Sequence, residues 1–268
     1  MGDINRIKNA VIIHGPGRSG TTLLSSILSL HEDLGWISGY VNRYPRLTFL
    51  SYLNRLQSIS RFEKWNRGKR RFPRPSEAYN FWLHYIPEFE DRNLNAISST
   101  SSENCKKAIG RILRSTSKKR FITKITGYSR FQSIDALFDD PLIIWIDRDP
   151  KSVIMSYYKQ RWHYKNDIET FNAKPKKELI EEYTAFYKKF QEDKSQLQKF
   201  RMLNIEYEDL VENRQEVFKE ICNFTKLPYT KKFDAIVNSW KIKKGSNLGY
   251  KNYLNDDDEA YLNKLITD

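Results

Sequence analysis

At 268 residues, with 39 % hydrophobic and 14 % aromatic residues, the chain suits one globular domain with a real core. Cys105 and Cys222 are too few and too far apart for a disulfide framework or a cysteine metal site, and no run approaches the ~18 apolar residues of a membrane span. A net charge of +13, from 46 Lys and Arg, points to an anionic partner: nucleic acid, an anionic membrane or an anionic small molecule.

The chain enters its first buried strand, Ala10–His14, almost at once. That leaves no room for a signal peptide, and a cytoplasmic protein with free thiols is expected. Gly15-Pro16-Gly17-Arg18-Ser19-Gly20-Thr21-Thr22 follows as a glycine-rich turn, opening a helix over Thr21–Leu30. Strand, turn and helix start aim several backbone N–H groups and the positive end of a helix dipole at one point, which suits phosphate or sulfate. A nucleoside-triphosphate loop reads G-x-x-x-x-G-K-[ST]. Gly15 and Gly20 keep that spacing, but Thr21 stands in the lysine position and the cation is Arg18.

Next come the polar-aromatic stretch Ser38–Pro45 and a dense basic stretch, Arg61–Arg74. A helix is predicted over Ser76–Tyr85, with Tyr79, Trp82 and Leu83 on one stripe. Helices Ser102–Thr116, Arg130–Phe138, Pro150–Tyr164, Glu178–Phe200 and Arg214–Thr225 alternate with strands Arg120–Ile125, Leu142–Ile146 and Met202–Glu206. Parallel strands with crossover helices are implied. The expectation is a single α/β domain over 1–268, three-layered, with a central parallel sheet of about four or five strands and helical insertions.

The strand Leu142–Ile146 delivers Asp147 and Arg148 to its C-terminal end, where open α/β sheets place ligands. Asp149 can cap the following helix with Pro150 in its first turn. Arg148 and Ser156 could share a phosphate. Equally, Arg148 could pair with Asp147 or Asp149, and Ser156 could simply pack the helix. Four apolar residues before Asp147 also resemble the magnesium-binding strand of a P-loop kinase, a reading that needs a lysine at position 21. Trp240–Tyr253 is a cationic flap or an ordinary basic loop. Tyr207, at the last strand's end, is placed to contact a base or to fill the core.

In this order the signals resemble the sulfotransferases that use 3′-phosphoadenosine 5′-phosphosulfate (PAPS). Gly17-Arg18-Ser19-Gly20-Thr21-Thr22 looks like the family's 5′-phosphosulfate loop, in the Arg form found among carbohydrate and tyrosylprotein enzymes. Arg148-Asp149-Pro150-Lys151 through Ser156 looks like the 3′-phosphate segment. Tyr207-Glu208-Asp209-Leu210 is similar to an element whose tyrosine lies near adenine, and Lys244-Gly245 with Gly249-Tyr250-Lys251-Asn252 to the late Lys-Gly segment. The similarity spans residues 10–253. It implies transfer of a sulfuryl group from PAPS, without a metal ion, leaving adenosine 3′,5′-bisphosphate (PAP). Lys124 matches the lysine of a Lys-Thr-His segment.

The sequence departs from those relatives at the general base. Thr126 stands where cytosolic members have histidine, and Ser38 near where tyrosylprotein members have glutamate. Glu77 is the first candidate, with His84 seven residues on near the same face, then His31 and His163. Glu77 could instead be a first-turn acid favoured by its helix dipole, His84 a packed helix residue, and His31 a cap. Ser38–Pro45 and the aromatic helix Tyr79–Tyr85 would shape a pocket for a carbohydrate, glycolipid or other small-molecule acceptor. Nucleic acid is not expected as a partner, and peripheral membrane contact is open. The alternatives are a P-loop kinase or a non-catalytic basic protein that binds nucleotide or nucleic acid.

Overall fold

The computed structural model describes residues 7–58, 73–240 and 246–267. Its strands are β1 (Ile7–Lys8), β2 (Val11–His14), β3 (Leu34–Gly35), β4 (Arg120–Lys124), β5 (Phe138–Asp139), β6 (Leu142–Asp147) and β7 (Arg201–Glu206). Five form the central sheet in the order β3-β4-β2-β6-β7, every pair parallel, while β1 and β5 make a separate small pair. From β2 the chain first builds one flank (β3, β4) and then the other (β6, β7). The sheet therefore reverses direction at β2, the point where such folds bind ligands.

The continuous apolar runs make sense only in a sheet covered on both faces. Ile12, Ile143 and Trp145 pack into the layer that holds Phe81, Trp82, Ile109 and Ile112. Their neighbours Val11, Ile13, Ile144 and Ile146 point the opposite way, against Leu24, Ile27, Phe218 and Ile221. The three layers and five strands match the sequence expectation. A third cluster joins helix Pro150–Lys159 to helices Lys176–Leu197 and Asp256–Thr267. Lys151 pairs there with Glu259 at 2.9 Å, and Lys176 with Asp258 at 2.5 Å.

Most helix boundaries shift by one to three residues from the periodicity, and two of the shifts matter for the site. The helix expected from Ser76 begins at Tyr79, with Ala78 in the left-handed region at φ 60°. Residues 75–78 instead run as a strap beside the segment after β3. Ser38 bridges Pro75, the Ser76 N–H donates to Ile37 O at 3.0 Å, and Trp82 Nε1 donates to Glu77 O at 2.9 Å. Helix Pro150–Tyr164 stops at Lys159, because Arg161 and His163 take φ values of 48° and 71° and turn Trp162 back over Tyr157. The expected packing of Tyr79–Tyr85 resolves by side chain: Phe81 and Trp82 are core, and His84 is exposed.

Candidate active site

The turn after β2 is held open by close packing. Gly15 has φ +148°, and a Cβ there would lie 2.5 Å from Ile146 O; Gly20 has φ +102°, and a Cβ there would lie 2.3 Å from the Tyr207 ring. Only glycine tolerates both the conformation and the approach. Helix Thr21–Leu28 then starts from Gly20 with no side-chain cap and no acid in its first turn. Its first N–H groups and dipole are thus left to an anion. Ser19 has a different role from the expected ligand contact: its hydroxyl is buried and donates to Pro16 O at 2.8 Å, bracing the loop from inside.

The two segments expected to hold phosphate meet. Arg18 Nε donates to Ser156 Oγ at 3.0 Å, and Arg148 Nη1 donates to Arg18 O at 3.1 Å. The Arg148 guanidinium lies 4.4 Å from the centre of the Tyr207 ring, which also lies close against Gly20. Burial holds the Arg148 pKa below its ordinary value, against the opposing pull of Tyr207, Glu208 and Asp149. Asp147 is engaged elsewhere: Trp145 Nε1 donates to it at 2.7 Å, Gln191 Nε2 at 3.1 Å, and Lys194 pairs with it at 2.7 Å. A cleft of about 490 Å³ is lined by Arg148 itself with the carboxylates Asp147, Asp149, Glu206 and Glu208 and by Pro150, Tyr187 and Gln191. Burial and the neighbouring carboxylates raise the Glu206 pKa there.

On the far flank of the loop, Lys124 at the end of β4 donates to Thr22 Oγ1 at 2.9 Å and pairs with Glu77 Oε2 at 3.3 Å. Thr126 donates its hydroxyl to the other oxygen, Glu77 Oε1. Burial lowers the Lys124 pKa and Glu77 opposes that shift. Lys124 thus links the loop's hydroxyl to a carboxylate that stands outside it.

A sulfotransferase family model matches residues 10–231. The chain belongs to the sulfotransferase family. Its fold is similar to that of three solved sulfotransferase structures. STF9 from Mycobacterium avium has a TM-score of 0.62 at 16 % identity, over 87 % of this chain and 68 % of that one. The sulfotransferase domain from the curacin biosynthetic pathway has 0.57 at 16 %, over 98 % and 97 %. That of the Synechococcus PCC 7002 olefin synthase has 0.55 at 17 %, over 100 % and 96 %. No curated protein matches the sequence.

In this sulfotransferase the candidate bases separate clearly. Glu77 is not a first-turn acid, since its helix starts after it, and it lies beside Lys124. His84 is exposed against Tyr85, away from the strap's contacts. His31 is buried with both ring nitrogens used, Nε2 to Pro228 O at 2.9 Å and Nδ1 accepting from Asp33 N–H at 3.1 Å. His163 sits edge-on to Phe186. Lys244 and Gly245 lie outside the described residues. The described part of the expected flap, Ser246–Asn252, is a 3-10 helix, and Tyr250 beyond its midpoint donates to Glu259 Oε1 at 3.2 Å.

Three contacts escaped the sequence. Tyr157 donates its hydroxyl to Gly17 O at 2.9 Å, Trp162 packs against Gly17, and His14 Nδ1 accepts the Gly15 N–H at 2.8 Å. Tyr157 adjoins the recognised Ser156, the one hint available; the other two depend on tertiary packing.

His14 is stacked on Trp145 at 5.2 Å, and burial, helped by the Arg130 charge, pushes its pKa down from 6.5 to about 3. The folded chain thus refuses a proton that the unfolded chain accepts below 6.5. Its stabilisation is complete above that value and falls with pH toward the folded value, by about 1.4 kcal/mol per pH unit. At pH 5 the expected loss is about 2 kcal/mol relative to neutral pH. Urea unfolding at both pH values checks this, with His14→Gln as reference. An identical acid loss in the variant would remove His14 as its source.

Proposed function

We propose that this sulfotransferase takes PAPS as donor and moves its sulfuryl group directly, in line, to a hydroxyl or amine of an acceptor, with a carbohydrate or glycolipid as the favoured class. The observation that carries the reading is the junction of Arg18, Ser156 and Arg148, which joins the loop to the segment resembling the 3′-phosphate site. A donor with phosphates at both ends of its ribose fits two cationic stations held this close. Arg18 with the N–H groups of Thr21 and Thr22 would hold the 5′ end, Arg148 and Ser156 the 3′-phosphate, and Tyr207 the adenine side. Gly17, Gly20, Lys244 and Gly245 complete the donor site in this reading. The expected cytoplasmic setting is consistent with Cys105 and Cys222 being free and buried.

PAPS supplies an activated sulfur–oxygen bond. The acceptor oxygen forms the new bond to sulfur as the bond to the phosphate breaks, and the electron pair stays on the departing phosphate oxygen. Arg18, Lys124 and the loop N–H groups face that growing charge, so they bind it more tightly in the transition state than in the ground state. The acceptor proton passes to Glu77, which Thr126 and Lys124 hold beside the loop.

Calorimetric titration with PAP, and in parallel with ATP and magnesium, tests the donor. Tight PAP binding, weakened about 100-fold in Arg148→Ala, is expected from the loss of a charge-assisted pair at a half-buried arginine. Binding of ATP with magnesium alone, or of neither nucleotide, would overturn the reading in favour of the kinase or the basic binding protein.

A further inference from the structure

Glu77 and its partner Thr126 both lie on irregular backbone. Glu77 sits on the strap before helix Tyr79–Tyr85, and Thr126 on the turn that follows β4. A proton acceptor has to be held within about 0.5 Å of its productive position, and a strap and a turn do not achieve that unaided. One side chain reaches the elements on either side of this pair. Arg130 is 8 % exposed. Its Nη1 donates to Thr126 O at 2.9 Å and to Tyr128 O at 3.2 Å, and its Nε donates to Phe89 O at 3.2 Å. The guanidinium lies 4.0 Å from the centre of the Tyr128 ring and 4.9 Å from that of Phe89. It lies 5.5 Å from the ring centre of Tyr79, the first residue of the helix after Glu77.

The same turn also meets the loop. Ile125 N–H donates to Ile13 O at 2.9 Å, and Gly127 N–H to Gly15 O at 3.4 Å. The register between the end of β4 and the loop thus runs through residues that Arg130 braces. Arg130 itself has φ 48°, a region that a residue with a side chain enters at a cost. It precedes helix Phe131–Leu137 without capping it by its side chain, so the strained backbone serves the fork's reach to 126 and 128 instead. A planar guanidinium can bridge carbonyls of two segments and stack on rings at once, whereas an ammonium is a point charge. The charge acts on its neighbours too, on buried His14 and on Asp193, which pairs with Arg92 at 2.9 Å.

We propose that Arg130 is a positioning residue for sulfuryl transfer. It fixes the turn bearing Thr126 against the segment bearing Glu77, so that the carboxylate keeps its place beside Lys124 and the loop. The proposal rests on the reading of Glu77 as the proton acceptor.

Arg130→Lys, alone and combined with Glu77→Gln, tests this. Turnover is read as PAP released from PAPS, with methyl β-galactoside as acceptor and, in parallel, with water. In either case an oxygen bonds to sulfur as the bond to phosphate breaks, and a proton leaves that oxygen. Lysine keeps the buried charge but not the fork, so turnover is expected to fall about 10- to 100-fold. PAP affinity, read by calorimetry, should stay close to wild type, because Arg18 and Arg148 are untouched. In the Glu77→Gln background the same substitution should lower turnover no further, since no carboxylate remains to be held. A residue that only supports the fold would cost the same factor in both backgrounds, and that result overturns the proposal. Wild-type turnover in Arg130→Lys overturns it as well. Thermal unfolding shows whether the variant folds. If it does not, Tyr79→Leu takes its place, removing one stacked ring while leaving the hydrogen bonds of Arg130. Loss of turnover only when Glu77 is present then supports the proposal, and equal loss in both backgrounds overturns it. Full turnover in Glu77→Gln alone would instead remove the base reading, and failure of the wild type to bind PAP the donor reading.

Discussion

Glu77→Gln is expected to lower turnover by about 10²–10⁴-fold while leaving PAP affinity close to wild type, as befits a lost general base. The substitution is chosen to separate two roles that the geometry combines. Glu77 accepts from Thr126 through Oε1 and pairs with Lys124 through Oε2, so it could act on the acceptor or only hold the lysine. Glutamine still offers an oxygen to Thr126 and occupies the same volume, but it accepts no proton. A fall in turnover with an unchanged KM for the acceptor assigns the base. If turnover survives and only donor affinity changes, Glu77 serves Lys124 and the base lies elsewhere. The pH profile gives a second readout. Burial already lowers the Lys124 pKa and Glu77 opposes this, so removing the carboxylate should lower it further and move the basic limb of the rate profile to lower pH. Thr126→Val should cost less than Glu77→Gln, because it frees one oxygen of the carboxylate without abolishing it.

Four of the five sheet strands, β2, β4, β6 and β7, were readable as β-rich runs separated by helical periodicity, while β3, only Leu34–Gly35, is too short to leave such a run. The turn from Gly15 to Thr21 was readable as a turn because Gly15 and Gly20 stand where the backbone takes positive φ before the helix Thr21–Leu28. Glu77 was nameable but not placeable. Its position depends on a bridge between Ser38 and Pro75 that joins segments far apart in sequence, and periodicity began the helix three residues early, with Glu77 inside it. Ser19 shows the converse: a hydroxyl inside a phosphate loop looks like a ligand, yet the loop's own carbonyl at Pro16 claims it. The helix Thr48–Ser58 was missed because its period is three, so neither the α-helix nor the strand template describes it.

Gly20→Ala tests how far the loop depends on its neighbours, and it should be the most damaging conservative change in the donor site. Two costs combine. Alanine is strained at φ +102°, and its methyl would lie 2.3 Å from Tyr207 Cδ2. Together they are expected to cost about 3–5 kcal/mol of stability. Something must move, and each choice harms binding. If the ring swings away, Arg148 loses the aromatic face it stacks on at 4.4 Å. If the loop shifts, the N–H groups of Thr21 and Thr22 no longer converge. PAP affinity should therefore fall about 100-fold or more, even in protein that remains folded. Tyr207→Ala distinguishes clash from backbone strain. In the double variant the ring is gone, so its stability cost should be clearly less than the sum of the single costs, while the φ penalty of about 1–3 kcal/mol persists. Urea unfolding of the four proteins measures the coupling. Strictly additive costs would mean that Gly20 and Tyr207 do not press on one another, and that glycine is required there for its backbone conformation alone.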